Sequence, residues 1–221
     1  MSSLRTVLFL FAIAGFPAAA RAQDEAPIPQ PPPMVQAPPS VVDPTAHRHL
    51  GFFFHLDLGA GYFYSSAGTG MTVSISGPAA PLGIAIGGAV SENWILSGET
   101  WGSIAPNPKV GYGGTSSSAD NTSVSLEAIG LGVTHYFMPA NVYLTLTPAL
   151  TVLTFRSQND SSSTNYGFGA KLAVGKEWWV GDHWGLGVGL HLMLGVNKDQ
   201  GEGSPTWTTF GGGVTFSVTY N

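Results

Sequence analysis

The sequence predicts an all-β chain folded as an eight-stranded, antiparallel, up-and-down transmembrane β-barrel. Three observations predict it. Long segments alternate apolar residues with small or polar ones at a period of two, as strands with two different faces do. Charged residues are only 10% of the 221, against about 25% in a soluble domain, yet no run of about 20 apolar residues offers a transmembrane helix. Aromatic residues gather near the strand ends, where amphipathic rings prefer a membrane–water boundary.

The clearest alternation lies between Tyr166 and Leu194. Phe168, Ala170, Leu172 and Val174 share one parity; Gly167, Gly169, Lys171, Gly175 and Glu177 share the other. After the turn Val180-Gly181-Asp182-His183 the pattern resumes, with Trp184, Leu186, Val188, Leu190 and Leu192 against Gly185, Gly187, Gly189 and His191. One face is apolar and the other is glycine with a few polar groups. That is inside-out for a soluble sheet and natural for a barrel in lipid. A soluble lipocalin-like barrel is the fold alternative, and it requires Leu186, Val188 and Leu190 to point inward.

Taken from the start, residues 1–22 read as a secretory signal: Arg5, a short apolar core ending near Phe16, then Ala20-Arg21-Ala22. Residues 23–49 read as a proline-rich periplasmic arm, extended or disordered because proline fixes φ and removes donors. The arm acts as a spacer or contacts the cell wall or a protein. His47-Arg48-His49 at its end reads as a solvated lead-in rather than a metal site. The barrel domain occupies 50–221.

Its eight strands are expected near 51–64, 80–90 (with a start as early as 71), 94–104, 122–137, 142–155, the two halves of the hairpin above, and 206–220. The fourth changes parity: Val124 and Leu126 are even, Ile129, Leu131 and Val133 odd. An extra residue near Ala128 would restore the facing, so a β-bulge is predicted there. Tight turns join strands at 91–93, 138–141 and 180–183. Longer polar connections, such as 105–121 and 156–165, join the others. This is the short-turn, long-loop asymmetry of outer-membrane barrels, with both chain ends on the short-turn, periplasmic side. Phe52, Trp94, Tyr136, Phe137, Tyr143, Trp178, Trp179, Trp184 and Tyr220 form one expected aromatic belt. Tyr62, Tyr64, Trp101, Phe155, Tyr166, Trp207 and Phe210 form the other.

The last strand, Val214-Thr215-Phe216-Ser217-Val218-Thr219-Tyr220, resembles the closing strand that outer-membrane proteins present to their assembly machinery. With it, 50–221 resembles the small outer-membrane barrels of the OmpA, OmpX and OmpW kind. The resemblance implies an outer-membrane location in a Gram-negative cell and contact with outer-membrane lipid and lipopolysaccharide. Two features depart from the pattern. Asn221 follows the terminal aromatic, and no peptidoglycan-binding domain of the OmpA sort follows the barrel, so wall anchoring is not implied.

Eight strands leave a lumen wide enough only for side chains. The inward polar set is His55, Asp57, Glu99, Lys171, Glu177 and His191, with Glu127 following the uncertain parity of its strand. Buried charges need partners, so Lys171 is expected to meet Asp57, Glu99 or Glu127. This set is a structural plug, or else the wall of a narrow solute path. A catalytic site is not expected: no serine follows His191 in a His-x-Ser pair, and His183 with Asp182 sits on a short turn. A lipid A-modifying enzyme is the weakest alternative.

No cysteine is present, which removes disulfides and thiolate metal sites. No cofactor or metal is implied. The formal net charge is −5, and loss of Arg5 and Arg21 with the leader makes it more negative, which argues against nucleic acid. The leading expectation is thus a non-enzymatic, plugged envelope barrel, with an OmpW-type small-solute conduit second. On the facing assigned here, Val188→Arg opposes insertion whereas Gly187→Ser is mild.

Overall fold

The computed structural model describes residues 48–68 and 72–221. The expected leader, and the expected arm up to residue 47, lie outside the described residues. Eleven strands follow in order: β1 (Phe52–Gly68), β2 (Thr72–Ser91), β3 (Trp94–Pro106), β4 (Lys109–Tyr112), β5 (Thr115–Ser118), β6 (Ser123–Phe137), β7 (Val142–Arg156), β8 (Ser161–Ser163), β9 (Gly167–Trp179), β10 (Trp184–Lys198) and β11 (Thr206–Tyr220).

Eight of them close a barrel in the order β1, β2, β3, β6, β7, β9, β10, β11, each antiparallel to its neighbours. Because β1 pairs with both β2 and β11, the ring has no open edge. The remaining three decorate the long-loop end. β3 stops at Pro106, which has no N–H to donate, and β4 takes over as partner of β2 from Val73 to Ser76. β4 and β5 are joined by Gly113 and Gly114, both at positive φ, the conformation a two-residue hairpin demands. The expected loop 105–121 is therefore largely a hairpin. β8 adds a few residues alongside β7.

The alternation sorts as the closed wall requires. Leu186, Val188, Leu190 and Leu192 are exposed on the outside, and Gly185, Gly187, Gly189 and His191 face in. This excludes the lipocalin-like arrangement.

Three expectations about facing are corrected. First, β6 carries no bulge near Ala128: its register against β3 and β7 is continuous from Ser123 to Phe137. Val124 and Leu126 are instead buried inside the barrel, because that end of the lumen is filled by apolar side chains. Glu127 points outward, beside Arg156. The register shift occurs between Ala89 and Ser91 of β2. Second, Trp101, Tyr136, Tyr143 and Trp207 are buried in the interior and Phe155 packs against Trp207, so they leave the aromatic belts. Phe52, Trp94, Phe137, Trp178 and Trp184 remain exposed at the short-turn end, and Tyr62, Tyr64, Tyr166 and Phe210 at the other. Third, Gly187 is not a permissive position. A Cβ there would lie 2.5 Å from Ser217 Oγ, 2.7 Å from Glu177 Cγ and 2.9 Å from the Lys176 carbonyl.

Val188→Arg is expected to oppose insertion into lipid vesicles by about 2–4 kcal/mol if it lies near the midplane. Gly187→Ser should also weaken the barrel, but through crowding. Refolding yields compared in thin and thick bilayers check this: only the arginine variant should respond to bilayer thickness.

Candidate functional site

The lumen is layered. At the long-loop end it is an apolar core in which Phe63, Trp101, Leu126, Leu153, Met193 and Trp207 pack together. At the short-turn end Phe53, Ile95, Tyr136 and Tyr143 form a second apolar cluster. The inward polar residues lie between and among them.

Lys171 on β9 is the hub. Its Nζ donates to Glu99 Oε1 on β3 and lies 3.5 Å from Asp57 Oδ2 on β1. Thr147 on β7 donates to the other oxygen of Glu99. His55 lies between two carboxylates, with Nε2 3.7 Å from Asp57 Oδ2 and Nδ1 3.5 Å from Glu177 Oε1. Thr219 mediates the second contact: its hydroxyl donates to Glu177 Oε1 at 2.6 Å and accepts from His55 Nδ1 at 2.8 Å. Tyr136 donates to Glu177 Oε2 at 3.3 Å. One connected array thus links Glu99, Lys171, Asp57, His55 and Glu177 across the lumen.

His191 also faces inward, but its buried Nδ1 has no hydrogen-bond partner. It lines a cavity of about 20 Å³, together with Asp57, Glu99, Lys171 and Tyr143. That is room for about one water. Glu127, the uncertain member, is outside and takes no part. Tyr143 fills much of the remaining space. Cβ atoms at Gly175 and Gly189 would each come within 2.5 Å of its phenol, so these two glycines make room for the ring.

The partners that the sequence reading missed were marked by parity. Thr147 and Thr219 share their strands' inward face. Tyr143 shares parity with Thr145 and Thr147, which outweighs its position near a strand end.

The short-turn mouth holds a second array. His49 is not solvated: it is fully buried. Its Nε2 donates to Asn141 Oδ1 at 2.7 Å, and the Asn221 amide donates to its Nδ1. Its ring stacks on Tyr136 at 3.5 Å. Its backbone carbonyl accepts from Asn93 N at 3.2 Å. Asn93 and Asn141 both sit in tight turns at positive φ, a conformation asparagine tolerates better than most residues. Nothing in the sequence pattern signals this burial, because His49 precedes the first strand. Burial lowers the His49 pKa from its ordinary 6.5, and the Asn141 hydrogen bond and the Glu177 charge offset this only in part.

The fold and its interior define a class: a small closed barrel of eight antiparallel strands with a filled lumen. No protein-family model matches the sequence, and no curated protein matches it. Among solved structures, the chain is similar to Neisserial surface protein A, with 15% identity and a TM-score of 0.53 over 76% of this chain and 96% of that one. It is more loosely similar to the outer membrane protein OprG from Pseudomonas aeruginosa, at 11% identity and a TM-score of 0.45, covering 78% and 98%. It also overlaps the outer membrane protease OmpT from Escherichia coli, at 8% and 0.40, covering 77% and 96%. The first likeness establishes the shared barrel fold. The other two are too loose to argue from.

Two outcomes are expected. Lys171→Met leaves Asp57 and Glu99 without their cation and should cost about 3–5 kcal/mol, read as a lower urea midpoint of the refolded barrel. His49 is held below its ordinary pKa, so it contributes fully above pH 6.5 and the contribution is lost as pH falls from 6.5 toward the lowered folded value. Stability measured from pH 8 to pH 5 should therefore fall less steeply in His49→Gln than in the natural chain.

Proposed function

We propose that this chain is a non-enzymatic outer-membrane barrel of a Gram-negative cell, structural or surface-binding, with a lumen that does not conduct. The observation that carries the reading is the close-packed apolar cluster that follows the charged layer along the barrel axis. An ion that entered the Lys171 network would still meet Phe63, Trp101, Leu126, Leu153, Met193 and Trp207. Hydrophobic constrictions of this kind block ions by excluding water. The exposed apolar residues of the outer wall, from Leu58 to Phe216, support membrane insertion.

In this reading the short turns and the arm are periplasmic, and the long-loop end, with the β4–β5 hairpin, is extracellular. The lipid of the outer membrane, lipopolysaccharide included, surrounds the wall. The assembly machinery engages β11. The arm is a spacer or contacts the wall or a protein. A lipid A-modifying activity finds no support in the described lumen, where the hydroxyls of Thr147 and Thr219 donate to carboxylates rather than to a histidine base.

Planar-bilayer recording of the refolded chain should be silent, and Lys171→Ala should leave it silent, with insertion verified separately by protease protection. Discrete steps would instead favour the small-solute conduit. An epitope inserted between Ser116 and Ser117 should be reached by antibody on intact cells, and one inserted at Gly181 only after the membrane is opened.

A further inference from the structure

The outer wall is interrupted where β2, β3 and β6 meet. On β3 the outward residues are Thr100, Gly102 and Ile104. Gly102 pairs with Leu82 on one side and Glu127 on the other, and it presents no side chain between them. The result is a groove of about 420 Å³ on the outside of the barrel, walled by Ala80, Leu82, Ile84 and Ile104.

One end of the groove is charged. Arg156 and Glu127 stand there, 60% and 53% exposed, with Nη2 of the first 3.9 Å from Oε1 of the second. Ser125 donates to the same Glu127 oxygen at 3.0 Å and fixes the carboxylate. That one long contact occupies little of a guanidinium with five N–H donors.

The depth of the pair is also informative. Glu127 stands ten residues along β6 from Phe137, which is exposed at the short-turn boundary. A tilted strand crosses the hydrocarbon in about 9–11 residues. Glu127 and Arg156 therefore lie at the opposite boundary, where lipid headgroups begin; Gly102 and Leu82 are paired level with Glu127, and Thr100 and Ile84, the next outward pair, carry the groove on toward the short-turn end.

We infer that this groove binds one phosphate-bearing lipid of the outer leaflet, with the phosphate on Arg156 and an acyl chain running past Gly102 and along Leu82 and Ile84. A guanidinium at headgroup depth is complementary to a phosphate and can engage it by two parallel hydrogen bonds. A larger wall groove of about 580 Å³ lies by Tyr62, Leu192 and Phe210. It has no charged residue, so it takes acyl chains without selecting a headgroup. The inference rests on the membrane placement and orientation proposed above.

Native mass spectrometry of the full barrel, refolded in detergent with purified lipid A, tests it. One lipid A per barrel should be retained. Arg156→Ala should reduce retention at least about tenfold, and Ala80→Phe, which fills the groove from an exposed outward position, should do the same. Lipid A stripped of its phosphates should bind the natural barrel no better than intact lipid A binds Arg156→Ala. Heat-modifiable gel mobility verifies that each variant is folded. Gly102 is left alone, because a Cβ there would lie 2.6 Å from the Leu126 carbonyl. Equal retention by all three barrels, equal retention of both lipids, or preference for a phosphate-free lipid would overturn the inference. Because retention is read on isolated barrels, it stands or falls independently of conductance and of which loops face outward.

Discussion

The interior depends on how three inward carboxylates are kept from standing alone. Asp57, Glu99 and Glu177 come from three different strands, and one lysine serves the first two. An ionised carboxylate in a water-poor space costs several kcal/mol unless it is paired and hydrogen-bonded. The chain meets this cost with geometry. Thr147, Thr219 and Tyr136 each turn a hydroxyl toward a carboxylate, and His55 lies within reach of two of them. Apart from His55–Asp57, which lies within β1, every such contact joins different strands. The charged layer therefore fixes the relative height of strands that would otherwise be held only by their backbone ladders.

The glycine-rich inner faces of β9, β10 and β11 belong to the same solution. An eight-stranded ring leaves little interior volume. Large side chains cannot enter from every strand at one height. Gly175 and Gly189 yield their space to Tyr143, whose ring then closes the space beside His55. Small residues on one wall and large ones on the opposite wall pack the interior, leaving at its centre a cavity of only about 20 Å³.

The sequence showed the architecture well because its main signal, a period of two, is the same quantity that decides facing in the barrel. The strands, the closed order and the inward placement of His55, Asp57, Glu99, Lys171, Glu177 and His191 all follow from it. It misled where the two faces stop differing in polarity. In Val124 and Leu126 the inward residues are as apolar as the outward ones, so parity alone carried no sign, and an assumed outward facing called for a bulge that does not exist. Trp101 and Trp207 misled for the same reason: a buried aromatic near a strand end looks like an interfacial one. His49 was invisible to any periodicity, since it lies outside the strands and its three asparagine neighbours are distant in sequence. The cleft beside Gly102 was hidden too, because it arises from residues on three strands that only the register brings together.

The His49 clasp also bears on how the molecule comes to be finished. Its contacts span 44 residues to Asn93, 92 to Asn141 and 172 to Asn221. Closing spans of that length carries an entropic cost that grows with length, and no partner can be in place before its own hairpin is. The imidazole therefore finds its full set of neighbours only after β11 has reached β1. The clasp is a record of completed closure, written at the very point where the chain enters its first strand.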